Sequence, residues 1–179
     1  CSQQPRLHPL LQYNRVHVDC RCPALIVARK NHPTNEEDFH VVVVVLRNLV
    51  TPEALTALRQ GVADNMASPG PRANEYTPAG ATGRFFDDYV NWDRFPQFAE
   101  VGMHGSVPAA AISLMGTTTC RLFHEHVLVK EAETKEVTPW HHDDPYYGID
   151  GMDNVSIWIP LDPIPNSVAL RFIAGSHKW

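Results

Sequence analysis

Thr117-Thr118-Thr119-Cys120-Arg121-Leu122-Phe123-His124-Glu125-His126-Val127-Leu128-Val129-Lys130 is the clearest strand in this chain, and its two faces differ in kind. Successive side chains of an extended chain alternate between faces. One face therefore carries Cys120, Leu122, His124, His126, Leu128 and Lys130, and the other Arg121, Phe123, Glu125, Val127 and Val129. Two histidines and a terminal lysine do not make an ordinary core face. Such a face is either exposed to solvent or part of a site.

After the charged link Glu131 to Val137 comes Thr138-Pro139-Trp140-His141-His142-Asp143-Asp144-Pro145-Tyr146-Tyr147. At the end of an apparent strand, His141 and Asp143 point the same way and His142 points away. One imidazole nitrogen and one carboxylate oxygen then converge on a point. Two ligands of a 2-His-1-carboxylate iron site have this form, the second His coming from elsewhere. The spacing also fits a polar turn, with Asp143 or Asp144 capping a loop and the histidines solvated.

Working outward, Val155 to Leu161 and Ala169 to Ala174 read as short strands on either side of Asp162-Pro163-Ile164-Pro165-Asn166. Upstream, Val41 to Leu46 is a β-branched strand. Thr51-Pro52-Glu53 starts a helix over 52–66, with Thr51 as cap and Pro52 at the first helical position. Leu55, Leu58, Val62 and Met66 form its packing stripe. Residues 67–83 read as a loop. Phe85, Phe86, Tyr89, Trp92, Phe95 and Phe98 read as core. Ser106-Val107-Pro108 opens a second helix, 107–115, stopped by Gly116. Residues 1–37 read as an irregular N-terminal segment, cut by Pro5, Pro9, Pro23 and Pro33, with Ala24 to Ala28 as a short strand. The domain then runs 38–179. Two helices followed by short strands with Gly/Pro turns indicate α+β, with a sandwich- or barrel-like second part.

The 179 residues are enough for one domain with a core of its own, and a net charge of −5 without a basic stripe argues against nucleic acid. No apolar run spans a membrane, and no signal peptide is visible. Cys1, Cys20, Cys22 and Cys120 form no disulfide framework and suit free thiols in a reducing, cytoplasmic setting. The chain opens without Met and stops just after an apolar run, so it is expected to be a fragment.

Taken together, these elements resemble the phytanoyl-CoA dioxygenase family of Fe(II)/2-oxoglutarate-dependent oxygenases. The resemblance runs from about Val41 to Trp179. It rests on Arg47-Asn48-Leu49, His124 to Lys130, Thr138 to Asp143, Trp158-Ile159-Pro160-Leu161-Asp162 and Gly175-Ser176-His177-Lys178-Trp179, all in the family's order. It implies a double-stranded β-helix (a cupin-like jelly roll) with N-terminal buttressing helices, incomplete at its C-terminus. It implies iron held by His141 and Asp143, 2-oxoglutarate contacted by Lys130, and dioxygen as co-substrate. His124 would give the co-substrate a second hydrogen bond. Trp158 either lines the pocket, with Tyr146, or packs in the core. The partner would be a small-molecule substrate.

The family's second iron-binding His and its 2-oxoglutarate arginine lie beyond the Gly-Ser-His turn, to which His177 belongs. This chain is accordingly expected to be inactive alone. Asn166-Ser167-Val168-Ala169-Leu170 also departs from the family's Asn-Gly approach to the last strand. A cupin-like binding or metal-storage module is the competing expectation. Lys130 favours the oxygenase, because a binding module needs no group for a keto acid. Asp143 disfavours a halogenase, which would need the carboxylate ligand removed.

Overall fold

Local signals place the helices of the computed structural model, which describes residues 15–17, 25–30, 40–148, 153–173 and 176. Helix α1 spans Pro52–Ala67, and the Thr51 hydroxyl accepts from the Ala54 amide at 3.2 Å. This satisfies one of the four amides that a helix start leaves unpaired. Leu58 is buried, and Leu55, Val62 and Met66 pack beside it, as the stripe requires. Helix α3 (Ser106–Met115) stops at Gly116, whose φ of 65° is the left-handed conformation that glycine takes without strain. Between them lies α2 (Pro96–Met103), which the sequence reading absorbed into an aromatic core.

The strands are β1 (Arg15–His17), β2 (Leu25–Lys30), β3 (His40–Val45), β4 (Asn74–Glu75), β5 (Phe85–Tyr89), β6 (His126–Lys130), β7 (Asn154–Trp158) and β8 (Arg171–Ile173). They form three antiparallel sheets, ordered β1-β8, β3-β2-β7 and β4-β5-β6. The architecture is mixed α+β. Four expectations change. Residues 67–83, expected to be a loop, contain β4. The strand drawn over 117–130 is regular only from His126. The strands near 118–130, 155–161 and 169–174 fall in three sheets and not in two facing ones. The segment before residue 38, read as irregular, supplies β1 and β2, and β2 is the middle strand of its sheet. Leu25 faces both Val45 and Trp158, partners far away in sequence. Cys1, Cys20, Cys22 and the element Gly175, His177, Lys178 and Trp179 lie outside the described residues.

One core lies where the helices meet the third sheet: Val50, Leu58, Phe86, Phe98, Val107 and Val127 are buried, with Ile157, Ile159 and Leu161 packed against them. Burying one such side chain contributes roughly 1.5–3 kcal/mol. Of the aromatic cluster, Phe85, Phe86 and Phe98 are core, while Tyr89 and Trp92 reach solvent. Among the described residues no helix is long and apolar enough to cross a membrane.

A buried carboxylate ties this core to its surroundings. Asp88 is fully buried and accepts from Asn65 Nδ2 at 2.8 Å, the Gly70 amide at 2.6 Å and the Tyr89 amide at 2.9 Å. Burial by itself raises its pKa, but these bonds and Asn91 together hold it below the ordinary carboxylate range. A lowered pKa adds stability above the unfolded value and loses it as pH falls through the folded one. Asp88→Ala strands three donors and is expected to cost about 3 kcal/mol. Urea unfolding checks this: wild type should lose part of its advantage over Asp88→Ala on acidification, and a pH-independent gap would contradict the assignment.

Candidate metal centre

Alternation along β6 sorts its side chains as the sequence requires. Val127 is buried and Val129 packs on the core, whereas His126, Leu128 and Lys130 are exposed. Opposite them on β5 stand Tyr89, Asp87 and Phe85. Asp87 is a buried carboxylate. It accepts from Asn74 Nδ2 at 2.8 Å and from the Tyr76 hydroxyl at 3.1 Å, and it faces His126 Nε2 at 3.2 Å. A buried charge needs such partners. The carboxylate accepts from His126 Nε2, and the His126 ring is half-exposed.

Lys130 closes the strand. Its Nζ sits 4.3 Å from the centroid of the Phe85 ring and donates to Thr138 Oγ1 at 2.8 Å and the Glu136 carbonyl at 3.2 Å. Burial lowers its pKa, and Glu136 opposes that. The link between is clamped from the other side too. The Glu131 amide donates to the Arg84 carbonyl at 2.9 Å, and the Arg84 amide returns to Glu131 Oε2 at 2.9 Å. Gly83, at φ 78°, lies so close that a Cβ there would be 2.2 Å from the Ala132 carbonyl oxygen.

The His-x-Asp element is an irregular loop followed by a 3-10 turn, Asp144–Tyr146, and not a strand end. The two side chains converge nonetheless. His141 Nε2 lies 3.2 Å from Asp143 Oδ1, and His141 Nδ1 lies 2.8 Å from the Pro139 carbonyl oxygen. The Tyr146 amide donates to the Asp143 carbonyl at 2.9 Å, which folds the turn. A carbonyl oxygen only accepts, so Nδ1 holds a proton, and Nε2 is the ring nitrogen that faces the carboxylate. A nitrogen and a carboxylate oxygen so placed share a cation, either a proton or a divalent metal ion. An imidazole nitrogen and a carboxylate oxygen that close together are a donor set that a divalent metal such as Fe(II) would take. The backbone bond at Nδ1 is the support that metal-binding histidines normally have. The pair fits a divalent metal. Among the described residues no third His, Cys, Asp or Glu completes the group.

His124 is half-buried beside this pair, with ring centroids 4.9 Å from Phe123 and 6.0 Å from both Tyr89 and Tyr147. Burial first, then the charge of His126, holds its pKa low, while Asp143 pulls the other way. Tyr146 is exposed, its ring edge-on to His141 at 6.2 Å. Trp158 packs in a second apolar cluster with Val43, Val45, Ile164, Ala169 and Phe172. His142 is exposed. The sequence reading missed Asp87 and Tyr147. Tyr147 places its hydroxyl 3.1 Å from Ser156 Oγ, and burial, then Asp143 against the Ser156 bond, raises its pKa. The period-two run Phe85, Asp87, Tyr89 was the available signal for Asp87.

A protein-family model described as Phytanoyl-CoA dioxygenase (PhyH) matches residues 43–179. No curated protein and no solved structure matches the chain.

Burial, then the charge of Asp87 and its hydrogen bond, raise the Tyr76 pKa. Asp87→Asn removes the charge but not the burial. Its Tyr76 is expected to ionise at lower pH than in wild type, yet still above an ordinary tyrosine. Ultraviolet titration of tyrosinate absorbance, with Tyr76→Phe as the reference, reads this directly; an unmoved titration would contradict the pairing.

Proposed function

The chain belongs to the phytanoyl-CoA dioxygenase family, and from that premise we propose that it is an Fe(II)/2-oxoglutarate-dependent dioxygenase that hydroxylates a small molecule. The observation that supports this reading beside the family match is the His141–Asp143 pair, whose Nε2 and Oδ1 come within 3.2 Å while the Pro139 carbonyl accepts from Nδ1. We assign these two residues as iron ligands. A hard carboxylate and a neutral imidazole suit Fe(II) and leave positions open for co-substrate and dioxygen. When bound, the iron with 2-oxoglutarate and dioxygen supplies the oxidising power for hydroxylation.

The protein's own residues bind, orient and exclude water. Asp143 supplies negative charge that offsets that of the ion, and Pro139 fixes the His141 tautomer. Lys130 has three N–H donors, two of which are used within the chain. The third is assigned to a 2-oxoglutarate carboxylate, with His124 as a further donor. Tyr89, Phe123 and Tyr147 surround His124 and offer aromatic surface for the body of a substrate, with Tyr146 at its edge. The family fold, a double-stranded β-helix, is the finer architecture we assign. It is supported by antiparallel pairing throughout the described strands and by β2 lying between β3 and the sequence-distant β7.

In the complete protein, His141→Ala or Asp143→Ala is expected to reduce Fe(II)-dependent 2-oxoglutarate decarboxylation to background, whereas His142→Ala should keep most of it. Succinate formation under air is the measurement. Full turnover in either ligand variant would refute the assignment.

A further inference from the structure

We propose that Thr138 is a positioning residue for the His141–Asp143 pair: its hydroxyl receives the Lys130 ammonium and so fastens the loop ahead of His141 to the end of β6. The inference rests on the reading of His141 and Asp143 as metal ligands.

Each link is a short contact. Lys130 is held in register opposite Phe85, and its ammonium lies 4.3 Å from the centroid of that ring. From there it donates to Thr138 Oγ1 at 2.8 Å, a charge-assisted bond, and to the Glu136 carbonyl at 3.2 Å. The next residue is Pro139, whose ring locks its own φ and confines the residue before it to extended backbone. Once the Thr138 side chain is anchored, little freedom is left between it and the Pro139 carbonyl. That carbonyl takes the His141 Nδ1 proton at 2.8 Å and presents Nε2 to Asp143 at 3.2 Å. The path runs from a sheet through an ammonium, a hydroxyl and a proline to a ligand nitrogen. A hydroxyl that merely satisfied a surface lysine would have no such continuation. Outer partners of metal ligands are normally worth about ten- to a hundredfold in metal affinity.

This role is separable from any contact between Lys130 and 2-oxoglutarate, because it acts before the co-substrate binds. Mn(II) alone, which takes the same donor types, is titrated anaerobically into the complete protein without 2-oxoglutarate, and free Mn(II) is followed by electron paramagnetic resonance. Thr138→Val keeps the shape and removes the acceptor. It is expected to bind Mn(II) about tenfold more weakly, with circular dichroism and melting close to wild type. Thr138→Ser restores the hydroxyl and is expected to restore affinity to within about twofold. In a Lys130→Met background, Thr138→Val should add less than about twofold, because the donor is already gone.

Wild-type affinity in Thr138→Val, with His141→Ala losing Mn(II), would overturn the inference alone. Equal weakness of Thr138→Ser and Thr138→Val would overturn it too. Wild-type affinity in His141→Ala would instead overturn the metal reading, and the inference with it. Should Thr138→Val fail to fold, Lys130→Met carries the test: weaker Mn(II) binding without co-substrate supports the fastening, and unchanged binding overturns it.

Discussion

Two successive carboxylates in one buried strand set the terms for the rest of this structure. Asp87 and Asp88 are both nearly sealed from solvent, and neighbouring strand residues face opposite ways. Each therefore has to find its own partners on its own side. Asp88 draws in Asn65 from α1 and the Gly70 and Tyr89 amides, and beside them Arg94 donates to Asn91 Oδ1 at 2.7 Å and the Ser68 carbonyl at 2.8 Å. Asp87 draws in Asn74 and Tyr76 from the β4 side and His126 from β6. Desolvating a carboxylate is costly unless it is well bonded, and leaving one partner unpaired is costlier than never having the pair. Helix α1 and strand β6 are thus joined through one short strand.

How much of this could be read from the sequence follows from the range of each interaction. The cap at Thr51, the stop at Gly116 and the alternation of Val127 and Val129 against His126, Leu128 and Lys130 are local and were legible. Helix α2 was not, because Phe95 gives no side-chain cap and the helix is only eight residues long. The middle position of β2 was not, because its partners are β3 and the distant β7. Prolines before and after it suggested a broken segment.

The His-x-Asp element makes a sharper case. Convergence of His141 and Asp143 was expected from strand geometry, and the convergence is present without the strand. A loop has no alternation to impose it. The Pro139 carbonyl, the turn closed between Asp143 and Tyr146, and the Lys130 contacts take over that work. The spacing was legible, but the agents that enforce it were not, because a hydrogen bond from Lys130 to Thr138 has no signature in either residue. Asp87 was overlooked for a related reason: an acidic residue beside aromatics looks like a surface position until its three partners are known.

The position of Lys130 explains why a lysine suits the end of β6 better than an arginine would. A guanidinium presents its donors in a planar fork matched to one carboxylate, and committing it to the loop would turn the fork away from any second anion. An ammonium has three donors on a single rotatable nitrogen. Two of them hold the loop, and the third remains for a negatively charged oxygen without breaking either bond. Phe85 beneath the ammonium supplies an attraction that does not depend on its rotation about the Cε–Nζ bond. The partial burial that lowers the Lys130 pKa also strengthens each contact it makes, because charges interact more strongly where water is thin. One side chain can in this way brace the loop that carries the proposed metal ligands and still have a donor left for the co-substrate.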